Sequence, residues 1–417
     1  MRSPAAPRSG LLAGSAVLGL ATIVVSAGNW LLHVVLTRLL TPAQFGDATL
    51  AMTVVLLAAL VAATLQLAAS KAVATHPEAI DGIRRLLVRS AWICGGVIAV
   101  GMSATAAALS AALSVSTPWM FVVLGAGLPV YFVQAVERGV ALGDVRYLRL
   151  AASYVAEAVA RLAAVLALTV AGAGPVGVAV GIAVGFVAAA LVARAPRRRD
   201  GARRRGPGAA PSWPTLRAAL LGSSVLLCAQ VLINNADIVV AKARFDPEVA
   251  GVYAAGAVAG RLVFFLSWAV VQAAVPQAAR SGADDNARRR AFWQATAITA
   301  ALGLAATGGA VLLGRPLIVA VFGASYAGAA DILVPYTAAS ALFAVTNLWA
   351  SWDVACGRHR GPIVLLAGAA LQVALMVVLG ADPVTLANLQ VIAMAVTVTV
   401  IAVTGRFAGA RRKNAIK

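Results

Sequence analysis

The chain has 417 residues, of which 61% are hydrophobic and only 12% charged, and its mean hydropathy is +0.89. Soluble domains carry about 25% charged residues, so this composition excludes an ordinary soluble fold and leaves no stretch for a soluble catalytic domain. The formal charge of +19 would suit a nucleic-acid partner if it were gathered on one face, but the basic residues fall between apolar runs, the pattern of a membrane protein.

Twelve apolar segments, each about long enough to cross ~30 Å of hydrocarbon as a helix, follow one another. In the first half they cover residues 11–36, 48–70, 86–113, 118–136, 148–170 and 175–193. The second half gives 216–241, 251–278, 291–313, 332–355, 363–380 and 384–403. Arg2 and Arg8 precede the first run as they would in a secretion signal. A signal's apolar core is about 7–15 residues, however, so this longer run reads as a transmembrane helix.

If the N-terminus is cytoplasmic, 28 of the 34 Lys and Arg lie in cytoplasmic segments. The outer loops hold only Arg38, Lys242, Arg244 and Arg315, and Arg161 and Arg261 lie inside spans. This asymmetry predicts that both termini face the cytoplasm.

The turn Thr37 to Asp47, with Pro42 and Gly46, returns 205 positions later as Pro247 and Gly251, and Asn29 maps onto Asn234. Ala141-Leu-Gly-Asp-Val-Arg146 is echoed by Ala355-Cys-Gly-Arg-His-Arg360 at an offset of 214. The expected architecture is therefore all-α, with twelve transmembrane helices in two pseudo-symmetric six-helix lobes that form a parallel repeat. The lobes occupy residues 1–195 and 216–405, joined by a basic cytoplasmic linker over 196–215 and followed by a basic cytoplasmic tail over 406–417. The linker, with Arg197-Arg198-Arg199 and Arg203-Arg204-Arg205, reads as a solvated segment leaning on anionic lipid headgroups, with no nucleic acid as partner.

An ionisable group at the centre of a span costs about 2.5–3.5 kcal/mol on insertion scales, so each asks for a partner or a wet cavity. Tyr154, Glu157 and Arg161 share one face of the fifth span. Glu157 and Arg161 are an ion pair on this reading, either structural or coupled to transport. Arg261 sits near the midplane of the eighth span, on a face continued by Phe265, Trp268 and Gln272, with no carboxylate one turn away on its own helix. An unpaired central Arg is the strongest functional candidate in the chain. Asn234 and Asp237 lie on one face of the seventh span, where Asp237 is expected near the outer boundary, beside Lys242 or Arg38 or as a cation site. Asn29 and His33 make the matching stripe on the first span.

Catalysis and direct nucleotide coupling are not expected. The sequence holds no phosphate, nucleotide or metal motif, and the outer loops are too short and too poor in acids and bases to work over a substrate. Cys94, Cys228 and Cys356 lie far apart without metal-ligand spacing, so no cofactor and no metal are expected. The basic signature of major facilitators is missing from residues 71–85.

Several of these features carry a family resemblance. Asn29, the turn Thr37-Arg38-Leu-Leu-Thr-Pro-Ala-Gln-Phe-Gly46, Asn234-Asn-Ala-Asp237 followed by Gly251-Val-Tyr253, and Val321-Phe-Gly-Ala-Ser-Tyr326 resemble the polysaccharide flippases. These belong to the multidrug/oligosaccharidyl-lipid/polysaccharide exporter superfamily. The family's outer turn usually reads Leu-Gly-Pro-x-x-Tyr-Gly; here Thr41 and Phe45 depart from it. The resemblance implies a transporter in the cytoplasmic membrane that moves a lipid-linked glycan, typically on undecaprenyl diphosphate, between leaflets by alternating access. It implies glycan-assembly glycosyltransferases and a polymerase as partners. Arg161 and Arg261, with Asn29, His33, Asn234, Tyr154 and Gln272, are the expected substrate-binding set, and Glu157 and Asp237 the expected ion-coupling or ion-pair groups. The alternatives are a cation-coupled drug antiporter of the multidrug and toxin extrusion type, which would need Glu157 or Asp237 unpaired, and a membrane polysaccharide polymerase or ligase.

Overall fold

A computed structural model describes residues 8–194, 213–278 and 285–414. The chain divides into two compact units, Met1–Ala210 and Pro211–Lys417, and every described element is helical. Unit 1 contains α1 (Arg8–Leu39), α2 (Pro42–Thr75), α3 (Ile80–Ala104), the short α4 (Ala106–Ala112), α5 (Trp119–Gly143), α6 (Tyr147–Val170) and α7 (Gly174–Ala193). Unit 2 contains α8 (Trp213–Arg244), α9 (Pro247–Gly260), α10 (Leu262–Ala278), α11 (Asp285–Phe322), α12 (Ala330–Ala355), α13 (Arg360–Leu379) and α14 (Pro383–Asn414). Counting α9 and α10 as one path and leaving out α4, twelve helices among the described residues have the length and hydropathy to cross a membrane. This matches the twelve expected segments.

Local chemistry explains several boundaries. Thr41 and Gln44 form a capping box at the start of α2, with Pro42 in the first turn, where its missing N–H costs nothing. Asp47 is 2% exposed and accepts hydrogen bonds from the Ser116 backbone N–H (3.1 Å) and hydroxyl (2.8 Å), pinning the α4–α5 turn to α2. The end of α5 is a Schellman motif, in which Val145 N–H donates to the Leu142 carbonyl at 3.1 Å and Arg146 N–H to the Ala141 carbonyl at 2.8 Å. The end of α12 repeats it, with Gly357 N–H on the Val354 carbonyl (3.0 Å) and Arg358 N–H on the Asp353 carbonyl (2.7 Å). The left-handed position is Gly357 (φ +70°) in unit 2 but Val145 (φ +60°) in unit 1. By motif position the two turns correspond at an offset of 212, not the 214 that residue identity suggests.

Several segment boundaries differ from expectation. The third span begins with a single 3₁₀ turn at Pro77–Ala79, and α3 ends at Ala104, well before residue 113. Helix α5 runs on to Gly143, seven residues past the expected end, which brings Glu137 and Arg138 into the helix and buries both. Helix α14 continues to Asn414, through most of the expected tail. The linker's two arginine triplets lie outside the described residues.

Packing within unit 1 centres on α5. A Cβ at Gly139 would come within 2.3 Å of the Gln66 carbonyl oxygen, and one at Gly143 within 2.4 Å of that of Ser70, so α5 and α2 meet backbone to backbone. Phe132, Val133 and Val136 fill the core between α2, α3 and α5 with Ala62, Ala69 and Ala91. Within unit 2 the corresponding centre is α12. Phe343 stacks on Phe264 with ring centroids 4.8 Å apart, and Gly260 clears space for the Tyr336 ring, which a Cβ would meet at 2.4 Å.

Candidate functional site

Among the described residues each unit holds a buried polar cluster built around a carboxylate, and each joins helices that the sequence pattern alone does not pair. In unit 1 the centre is Glu157 on α6. Its Oε2 accepts from Arg138 of α5 at 2.8 Å and from Gln134 Nε2 at 2.9 Å, and its Oε1 accepts from Arg161 at 3.3 Å. Arg161 also donates to Asn29 Oδ1 of α1 at 2.7 Å. The expected Glu157–Arg161 pair is present, then, but it is the longer of two.

Arg138 is the residue that sequence reasoning missed. Its Nε donates to Ser153 Oγ and a terminal N–H to the Ser153 carbonyl, both at 3.0 Å. Its guanidinium carbon lies 3.9 Å from the centre of the Tyr154 ring, a cation–π contact. Ser153 passes its own proton to the Ala189 carbonyl at 3.0 Å, which ties the brace to α7. Gln66 of α2 donates to the Tyr154 hydroxyl at 3.5 Å. The i, i+4 spacing of Gln134 and Arg138 was a readable signal, since it puts both on the face that meets α6; it goes unused when Arg138 is counted in a loop.

Two guanidinium groups therefore share one carboxylate, which leaves a formal excess of one positive charge. The neighbouring pair Arg84–Glu137, joined at 2.6–2.9 Å through two Arg84 nitrogens, is self-cancelling. His33 of α1 is half-buried with Nδ1 2.8 Å from the Asn29 carbonyl and its ring edge-on to Phe45 at 6.4 Å. Its position beside Asn29 makes it a neighbour of the cluster through the backbone.

In unit 2 Asp237 is completely buried. Its partner is Arg261, which donates to Oδ1 at 2.7 Å; Arg261 is accordingly not unpaired. The partner sits on the preceding helix, where same-helix spacing does not reach. Tyr336 donates to Asp237 Oδ2 at 2.7 Å and accepts from Arg261 Nε at 2.9 Å. Tyr253 donates weakly to the same Oδ2 at 3.4 Å and accepts from Gln390 at 2.7 Å. The network ties α8, α9, α12 and α14 together and its formal charges cancel.

Arg261 stands at the break between α9 and α10. Beyond it the expected continuation of its face turns outward: Phe265 is 52% exposed and Gln272 is exposed too, so Gln272 does not join the cluster. Asn234 donates back to the Gln230 carbonyl at 2.9 Å. With Tyr336, Ser340, Gln372 and Gln390 it lines a small cleft with about 10 Å³ of room for the centre of a water-sized sphere, space for one water molecule. No His, Cys, Asp and Glu group with metal-binding geometry occurs among the described residues.

Residues 11–281, more than half of the chain, match the model of a family described as polysaccharide biosynthesis protein. No curated protein sequence matches the chain. Among solved structures, the chain is similar to an inward-facing multidrug resistance MATE family transporter of the MOP superfamily, with TM-score 0.71, 16% identity, and 93% and 96% of the two chains covered. It is similar to the lipid II flippase MurJ in an inward closed conformation, with TM-score 0.73, 11% identity, and 93% and 87% covered. A MOP superfamily transporter from Pyrococcus furiosus Vc1 (DSM3638), whose binding pocket is reported to have reversed polarity, matches with TM-score 0.51 and 17% identity over 97% and 94%. At these identities the likeness establishes the fold. Together, the twelve spans, the two helical units and the family match show that this is a multi-pass membrane protein that belongs to the polysaccharide biosynthesis protein family.

Proposed function

We propose that this protein flips a lipid-linked oligosaccharide, carried on undecaprenyl diphosphate, from the inner to the outer leaflet of the cytoplasmic membrane by alternating access. The observation that carries this reading is the uncompensated positive charge around Glu157, where Arg161 is 15% exposed and holds only one contact to the carboxylate, at 3.3 Å. A diphosphate offers paired oxygens that suit a guanidinium, and a cationic drug would be repelled there. Asn29 and His33 supply further polar contacts for the head group. In unit 2, Asn234 of the polar cleft suits sugar hydroxyls. Gln272 lies apart from that cleft, and Arg261 acts as a structural brace.

The drug-antiporter reading draws on the similarity to a MATE transporter, but it needs an open carboxylate, and Glu157 and Asp237 both already hold guanidinium groups. On this reading both termini face the cytoplasm, the basic linker leans on anionic headgroups, and glycan-assembly enzymes are partners.

The test is translocation of fluorescently labelled undecaprenyl diphosphate oligosaccharide in proteoliposomes, scored by quencher access to the outer leaflet. Arg161→Gln should abolish movement while the protein stays folded; retention of wild-type movement would remove the proposal's main support.

A further inference from the structure

We infer that Arg138 is a positioning residue that holds Glu157 permanently, so that Arg161 is an exchangeable guanidinium free to leave Glu157 for an anionic ligand. The inference rests on the reading of Arg161 as the anion ligand and adds the means by which it is released.

The two arginines are held very differently. Arg138 is 6% exposed in its side chain, and its Glu157 contact is 2.8 Å long. Its Nε and a terminal N–H are fixed by Ser153, whose hydroxyl is itself anchored on α7, and its flat face lies on Tyr154. Moving it would break its contacts with Glu157, Ser153 and Tyr154 at once. Arg161 has a 3.3 Å contact to Glu157 and one side-chain amide, Asn29, as its other partner. An amide oxygen is a neutral acceptor, and a phosphate oxygen carries charge, so exchange of one for the other strengthens the bond.

Glu157 can tolerate the exchange because Arg138 and Gln134 both remain on Oε2. A buried carboxylate that lost its only cation would pay a large desolvation penalty. Here, departure of Arg161 leaves a paired carboxylate behind. Helix α7 crosses α6 tightly beside this pair, where a Cβ at Gly185 would stand 3.0 Å from Arg161 Cβ and 3.1 Å from the Glu157 carbonyl oxygen. The end of the Arg161 side chain reaches Asn29 of α1.

This arrangement makes a prediction that a merely structural role for Arg138 does not. Without Arg138, Glu157 keeps Arg161 for itself and competes with the ligand; without Glu157 as well, that competition ends. The experiment measures binding of farnesyl diphosphate, a short polyprenyl diphosphate, to the purified full-length protein in zwitterionic nanodiscs by calorimetry. Arg138→Gln should weaken binding by about tenfold or more, the scale of a hydrogen bond to a charged group. Glu157→Gln should bind at least as tightly as wild type, and the double variant Arg138→Gln/Glu157→Gln should return to within about threefold of wild type.

A double variant as weak as Arg138→Gln overturns the inference, and so does weakened binding by Glu157→Gln. Where Arg138→Gln fails to fold, Ser153→Ala leaves every charge in place and loosens only the brace; it should weaken binding, and Glu157→Gln should relieve that loss too. Unchanged binding in Ser153→Ala then counts against the inference. Arg161→Gln separates the two levels: if it binds as wild type, the anion-site reading itself fails. If it loses binding and the rescue is absent, the site stands and the exchange does not.

Discussion

Arg261 and Asp237 meet at 2.7 Å across two helices, with Tyr336 touching both partners. Removing one member of a buried pair leaves the other charged and unsolvated, at a cost of about 3–5 kcal/mol. Asp237→Ala should therefore sharply lower the thermal midpoint of the detergent-solubilised protein and its folded yield. The double variant Asp237→Asn/Arg261→Gln should recover part of that loss. A single variant as stable as wild type would show that the network does not hold unit 2 together.

Tyr336→Phe tests the same network more gently. It removes a hydroxyl that donates to Asp237 and accepts from Arg261, but both charges keep each other. The expected loss is about 1–3 kcal/mol, well below that of Asp237→Ala. Thermal unfolding of the two variants side by side gives the order.

Val145 occupies the left-handed position that Gly357 takes in the second unit. A β-branched residue there is strained by roughly 1–3 kcal/mol. Val145→Gly should raise the unfolding midpoint, since relief of the strain outweighs the extra freedom of the unfolded chain. A lower midpoint would mean that side-chain contacts of Val145 matter more than its backbone.

At Gly139, a methyl group would press on the Gln66 carbonyl oxygen at 2.3 Å. Gly139→Ala must push α2 away from α5, with an overpacking cost of about 1–3 kcal/mol. The control is Gly96→Ala, since a Cβ there meets nothing within 4 Å; it should cost little.

Asp382 caps α14. Its carboxylate accepts from the Thr385 hydroxyl and from the backbone N–H groups of Thr385 and Val384, the latter two at 2.9 Å. The Thr385 hydroxyl and then its N–H hold this carboxyl below its ordinary value. A depressed carboxylate stabilises the fold fully above its unfolded pKa and loses that contribution as pH falls through the folded value. The stability difference between wild type and Asp382→Ala, about 1 kcal/mol at neutral pH, should hold down to about pH 4 and shrink below it. A difference that does not change with pH would contradict the cap.

Much of this architecture was legible in the sequence because hydropathy and charge placement act on whole segments. The twelve spans follow from runs of apolar residues, and the Glu157–Arg161 contact follows from i, i+4 spacing on one helix. Arg138 was lost for the same reason that the spans were found: a basic residue near the end of an apolar run looks like a loop residue. What separates the two cases is whether a carboxylate on the next helix waits for it. Asp237 and Arg261 show the same limit. Periodicity describes one helix at a time, and Glu157 and Asp237 each draw a guanidinium from a neighbouring helix. Gln272 marks a third limit, where the break at Arg261 interrupts a face that an unbroken helix would have continued.

The order of the chain has a consequence for synthesis. Arg138 and Glu157 lie on α5 and α6, and Asp237 and Arg261 lie on α8 and on the end of α9, so both of these pairs join consecutive helices. Only three residues separate α5 from α6. Each hairpin can thus neutralise its own charge as it leaves the ribosome and enters the bilayer, before distant helices such as α12 and α14 have been made. Biogenesis of this membrane protein does not have to carry Glu157 or Asp237 unpaired until distant helices are inserted.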